Sequence, residues 1–162
     1  KLYKILIYLN VMPQKRIYIE NGIYMVTIKT YKNTKYFSAD INSDNLLKVI
    51  FYCREKMPFK LYSFCVLPNH IHLLVQVCKQ NNISDIVRHI KGRYSRLYGY
   101  DKVKIWQDSF YDRVIDNDNK FYNAVNYIET NPCKHNYVND PNVWKWSSIN
   151  YVLNECDVLE QG

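Results

Sequence analysis

The sequence predicts an α+β sandwich, one antiparallel sheet covered by helices, and three observations predict it. Apolar positions switch between the period of a strand and that of a helix in the order β-α-β-β-α-β. The two middle strand runs are separated only by Pro68-Asn69, the spacing of antiparallel neighbours joined by a tight connection. No linker, repeat or low-complexity tract interrupts the 162 residues, a length that buries one core and leaves little room for a second domain.

From Ile17 to Tyr31 the chain is β-rich, and Asn21-Gly22 breaks the run before the first strand, IYMVTIK. Asp44 to Lys56 carries Leu46, Leu47, Ile50 and Cys53 at helical spacing, and Pro58 stops the pattern. KLYSFCVL and IHLLVQV supply strands two and three. Asn82 is a helix cap with Asp85 three residues on, and Ile83, Val87, Ile90, Tyr94 and Leu97 mark one buried face of the helix that follows. IWQDSFYDRVI reads as strand or extended chain. Asp116 to Asn119 then offer caps for an added helix running to Asn131 before Pro132, its apolar stripe being Phe121, Val125 and Ile128. This order is that of a ferredoxin-like sandwich, an architecture that hosts many unrelated functions. Met12 opens the run MPQKRIYI, so residues 1–11 are expected to form an extension outside the fold, 12–155 the domain, and 156–162 a tail.

Twenty-two Lys and Arg against 15 Asp and Glu leave a charge of +7, which suits a polyanionic partner. Sixteen tyrosines accompany only four glycines; tyrosine serves core edges and base stacking alike. Five cysteines without a CxxC pair indicate neither a disulfide framework nor a zinc knuckle and fit a reduced, cytoplasmic setting. KLYKILIYLNV is about half the ~20 apolar residues that span a bilayer, so no membrane anchor is expected.

Two constellations carry chemistry. Side chains at i and i+2 of a strand share a face, so His70 and His72 present two imidazoles side by side with Ile71 turned to the opposite layer. Two neutral imidazoles, an oxygen donor and open positions would bind a first-row divalent ion and leave room for a phosphate oxygen; the same pair on a solvent-facing strand would bind nothing. On the last helix, i,i+4 spacing sets Tyr127 and Asn131 together on the flank between the apolar stripe and solvent. A phenol there can attack phosphorus beside a metal, or simply cover core. Arg88, Lys91 and Arg96 on the second helix could follow a phosphate backbone or form a solvated face.

LPNHIHLL, WQDSFYDRVI, YIETNP and WKWSS, in this order and spacing, resemble the REP-associated tyrosine transposases, a branch of the HUH single-tyrosine transposases of insertion sequences, over about Met12 to Tyr151. The resemblance implies a metal-dependent endonuclease and strand transferase that binds single-stranded DNA beside a hairpin and forms a covalent 5′-phosphotyrosine intermediate. Residue by residue it implies Tyr127 as the nucleophile and His70 and His72 as ligands of Mg²⁺ or Mn²⁺. Asn131 falls where a metal-ligating amide is expected; classical insertion-sequence relatives carry Gln there. The family continues after Asn-Pro with a basic and then a small residue. Here Lys134 is basic but His135 replaces the small one, and no catalytic role is assigned to it. Arg113 is expected to contact DNA, while Trp106 is either core or a base-stacking platform. The implied assembly is a monomer or a homodimer. Two rival functions are a domesticated, non-cleaving DNA-binding regulator and an RNA-binding protein that stacks bases on its sheet.

Overall fold

The computed structural model describes residues 18–99 and 103–153; the expectations for residues 1–11 and 156–162, Ile17 and Cys156 fall outside them. Strands β1 (Ile23–Lys29), β2 (Phe59–Leu67), β3 (His70–Val77) and β4 (Tyr111–Ile115) form one sheet of order β2-β3-β1-β4, antiparallel at every junction. Helix α1 (Asp40–Lys56) joins β1 to β2, and α2 (Ile83–Tyr98) joins β3 to β4. The expected order, the ferredoxin-like α+β class and the two-residue turn at Pro68-Asn69 are all observed. Helix α1 begins four residues before the expected Asp44.

Alternation along β1 assigns the faces. Tyr24, Val26 and Ile28 are buried, whereas Ile23, Met25, Thr27 and Lys29 are half-buried. The first set joins Leu46, Leu47, Ile50 and Cys53 of α1 and Ile83, Ile86, Val87, Ile90 and Tyr94 of α2 in the main core. The Asn82 side chain caps α2 by accepting from the Asp85 N–H (3.0 Å). One expected core residue is misplaced: Leu97 is 45% exposed, because its neighbour Tyr98 turns inward onto Tyr94, ring centroids 5.4 Å apart. Trp106 is core and not a stacking platform. It is buried against Phe37 and Tyr94.

The second face of the sheet is only partly covered. Helix α3 (Asp118–Glu129), capped by Asn117, lies over β2 and β3 and sets Ala124 and Ile128 against Cys65, Leu67, Leu74 and Ile115, with Phe121 and Val125 at the margin. The β1 and β4 side of this face therefore keeps half-buried Met25, Thr27 and Lys29 and exposed Tyr111 and Arg113. Helix α3 stops at Glu129, earlier than expected. Thr130 intervenes, and Asn131 opens the one-turn helix α4 (Asn131–Lys134) with Pro132 in its first turn, where proline's missing N–H costs nothing.

The WKWSS segment closes the outer edge of β2. Ser147 bridges Cys65, the Val66 N–H donates to the Trp146 carbonyl (2.9 Å), and Trp144 Nε1–H donates to the Val66 carbonyl (2.9 Å). Trp146 Nε1–H reaches Asp44 on α1 (2.9 Å). An edge strand that would otherwise offer free backbone groups to another chain is paired and tied to a helix.

Candidate active site: two imidazoles facing a tyrosine

The turn at Pro68-Asn69 starts β3 at His70, and the β1 register sets Lys29 opposite His70 and Thr27 opposite His72. Both imidazoles thus stand on a central strand, on the face that α3 only partly covers. Their ring centroids are 4.8 Å apart. The Tyr127 ring, carried by α3, meets His72 edge-on at 5.5 Å and is 39% exposed. Lys134 lies over that ring with Nζ 4.1 Å from the centroid.

Burial and hydrogen bonds fix the chemistry of the pair. His72 is 4% exposed, so the solvent-facing alternative does not apply. Burial pushes its pKa down to about 3, helped by the charges of His70, His135, Lys134 and Lys29. His70 is pushed to about 4, again mainly by burial, then by His135 and Lys29. Both rings are neutral at neutral pH, the form in which imidazole ligates metals. His70 Nδ1 lies 2.7 Å from Asn69 Oδ1. That oxygen can only accept, so Nδ1 carries the proton and Nε2 keeps its lone pair. His72 Nδ1 is 2.9 Å from Thr27 Oγ1, a hydrogen bond that fixes the orientation of the ring.

Among the described residues, His72 Nε2 and, just past the end of α3, both the Oδ1 and Nδ2 of Asn131 are buried with no hydrogen-bond partner. Such atoms are rare in native proteins and call for an explanation, and a bound cation is one. Among the described residues no three His, Cys, Asp or Glu side chains gather closely enough to hold an ion. A complete donor set therefore needs oxygen from other groups, for which an amide and a substrate phosphate qualify.

The predicted residues are distributed unequally. His70, His72 and Tyr127 border one hollow of about 560 Å³ together with Thr27, Lys29 and Tyr111. Asn131 is not at the rim where helical spacing set it: it is 1% exposed, because α3 ends before it. Arg113 borders an adjoining hollow with Met25 and Tyr127. Arg88, Lys91 and Arg96 lie on α2, the helix that covers the opposite face of the sheet. Arg88 pairs with Asp85 (2.7 Å), and Lys91 Nζ donates to the carbonyls of Gln107 (2.5 Å) and Asp108 (3.1 Å), fastening the loop before β4. His135 is the residue that sequence reasoning passed over. Its ring is 5.5 Å from His70 and stacks on Tyr137, so three of the chain's four histidines meet at this site. Only that concentration could have signalled it.

A sheet of this order presenting a His-x-His pair to a tyrosine on a helix across the same face defines the class of single-tyrosine transposases. Comparison with known proteins agrees. The family model described as "Transposase IS200 like" matches residues 19–131. A Haemophilus influenzae protein assigned as a REP-associated tyrosine transposase is 29% identical over 148 residues, covering 83% of this chain and 84% of its own. The REP-associated tyrosine transposase of Escherichia coli K12 is 26% identical over 136 residues, covering 83% and 81%. Among solved structures, a REP-associated tyrosine transposase bound to a REP hairpin superposes with a TM-score of 0.77 at 25% identity, over 86% of this chain and 84% of that one. The chain belongs to the IS200-like transposase family, as its four motifs led one to expect. No described helix is long and apolar enough to cross a membrane.

Proposed function

We infer that this transposase is a metal-dependent single-stranded DNA endonuclease and strand transferase acting beside DNA hairpins, with Tyr127 as nucleophile. The observation that carries the reading is the buried, partnerless Nε2 of His72 in a ring that meets Tyr127 edge-on. His70 and His72 would hold Mg²⁺ or Mn²⁺ through Nε2, with the orphaned Asn131 carboxamide as an oxygen donor. A divalent ion held there polarises a phosphoryl oxygen and offsets the charge that develops on it.

The phenol oxygen of Tyr127 forms a bond to phosphorus as the bond from phosphorus to the 3′-oxygen breaks. The 5′-phosphate stays on Tyr127, and the phenolic proton is balanced by the one taken up at the 3′-hydroxyl. One phosphodiester replaces another, so no high-energy cofactor is required, and attack by a 3′-hydroxyl on the adduct rejoins DNA. Lys134 braces the Tyr127 ring through a cation–π contact. Arg113 is positioned to meet phosphate on the open part of the sheet. Five cysteines without a CxxC pair suit a reduced, cytoplasmic setting for this activity.

The test is covalent capture. Labelled single-stranded hairpin DNA and Mn²⁺ should give an adduct stable in denaturing gels, absent with EDTA, with His72→Ala and with Tyr127→Phe. An adduct that survives Tyr127→Phe refutes the reading. Salt-dependent hairpin binding without cleavage across many sequences would favour the non-cleaving regulator.

A further inference from the structure

The hollow at the two imidazoles does not end there. Thr27, Tyr111 and Tyr127 border both it and the adjoining hollow that runs over Met25 and Arg113, so the two form one trough across the uncovered side of the sheet. Register explains the layout: Thr27 pairs with Tyr111, and Met25 with Arg113. Side chains two apart on β4 share a face, which puts Tyr111 and Arg113 side by side along the floor.

Tyr111 is the unusual member. Its large aromatic ring is 61% exposed on a sheet face and open to a partner. Lys29 lies over its ring with Nζ 5.3 Å from the centroid, and the exposed Arg113 guanidinium approaches Met25 Sδ through Nη2 at 3.7 Å. An exposed ring between cationic groups, continuous with a phosphate-handling site, is the arrangement by which proteins hold unpaired nucleotides: bases stack on the ring while the cations follow the backbone. Asp112 also borders the trough, although alternation along β4 assigns its side chain to the other face.

We propose that Tyr111, braced by Lys29 and flanked by Arg113, is a stacking platform for an unpaired base in the strand that carries the scissile phosphate. The proposal rests on the reading of the site as one for single-stranded DNA. It adds that part of the affinity comes from the unpaired flank and not from the hairpin. Stacking on an aromatic ring tolerates any base, so the platform orients the strand and leaves sequence choice to other contacts.

The experiment is equilibrium binding in EDTA, so that cleavage plays no part. It uses the full chain and two fluorescent probes: a DNA stem-loop with an unpaired thymidine flank on each side, and the same stem-loop blunt. Tyr111→Ala should weaken binding of the flanked probe about ten-fold and leave the blunt probe unchanged, while Tyr111→Phe and Tyr111→Trp should bind as wild type. An abasic site scanned along each flank against the unaltered protein should reproduce the loss at one position, whether or not Tyr111→Ala folds. Equal loss on both probes, loss in Tyr111→Phe, or an abasic scan without a sensitive position would overturn the proposal. Flank-dependent binding that persists without any covalent adduct would leave the platform standing and remove only the nucleophilic role of Tyr127.

Discussion

Acidification from pH 7 to pH 5 perturbs the paired imidazoles more than any carboxylate. An unfolded histidine titrates near 6.5, whereas burial holds folded His72 at about 3. The group's folded pKa is depressed, so the unfolded chain takes up the proton first and stability falls as pH drops below 6.5. At pH 5, about 1.5 units below the unfolded value, the unfolded state gains roughly 2 kcal/mol at about 1.36 kcal/mol per unit. This figure holds for any folded value well under 5. His70, held at about 4, acts in the same direction and contributes less, being only half-buried. Asp44, whose pKa is lowered from 3.8 by its bonds to Trp146 and Lys145, loses its contribution only at more acid pH. Urea unfolding in EDTA at both pH values, for wild type and His72→Gln, measures the effect. The stability lost between pH 7 and pH 5 should be smaller by roughly 2 kcal/mol in the variant. An equal loss in both proteins would mean that His72 is protonated in the fold at pH 5, and its description as a neutral imidazole would fall with it.

Three further outcomes are expected. Asn131→Leu removes a carboxamide that has no partner among the described residues, so unfolding in EDTA should change little. The Mn²⁺-induced gain in stability, about 2.7 kcal/mol when the ion is at 100 times its Kd, should be lost in calorimetry. Ser148 accepts from the Phe64 N–H (3.1 Å), donates to Glu129 (2.9 Å) and meets Ser63 (2.9 Å); Ser148→Ala leaves these groups unpaired and should cost about 1–3 kcal/mol in urea unfolding. The slope of log affinity for single-stranded DNA against log salt should decrease by about 0.7 in Arg113→Ala and be unchanged in Lys91→Ala, whose ammonium is already bound to loop carbonyls.

The fold was legible because its signals are local. Alternation in IYMVTIK, the Asn82 cap and the two-residue break at Pro68-Asn69 each depend on residues a few positions apart, and each is observed. What escaped depends on competition between neighbours in space. Leu97 lies at the right angle on α2, but Tyr98 next to it offers a larger ring to Tyr94, and periodicity cannot weigh one against the other. Lys91 looks free on a helix; only the path of the loop before β4 supplies the carbonyls that occupy it.

At the site, the histidines and the tyrosine were legible for different reasons. Strand geometry alone requires His70 and His72 to share a face, and the burial of His72 then excludes the solvated alternative. Tyr127 and Asn131 were joined by helical spacing, a link that fails because α3 stops at Glu129. The failure changes what the pair can do. On one continuous helix both side chains would sit at a rim, wet and free to find water. With the helix broken at Thr130, Tyr127 stays partly exposed, where a strand of DNA can reach it, while Asn131 goes under cover, where its carboxamide has no partner. On the proposed reading an exposed phenol and a buried carboxamide would serve a metal-assisted phosphoryl transfer in different roles, and the break in the helix, which the sequence marks only as Asn-Pro, is what separates their environments.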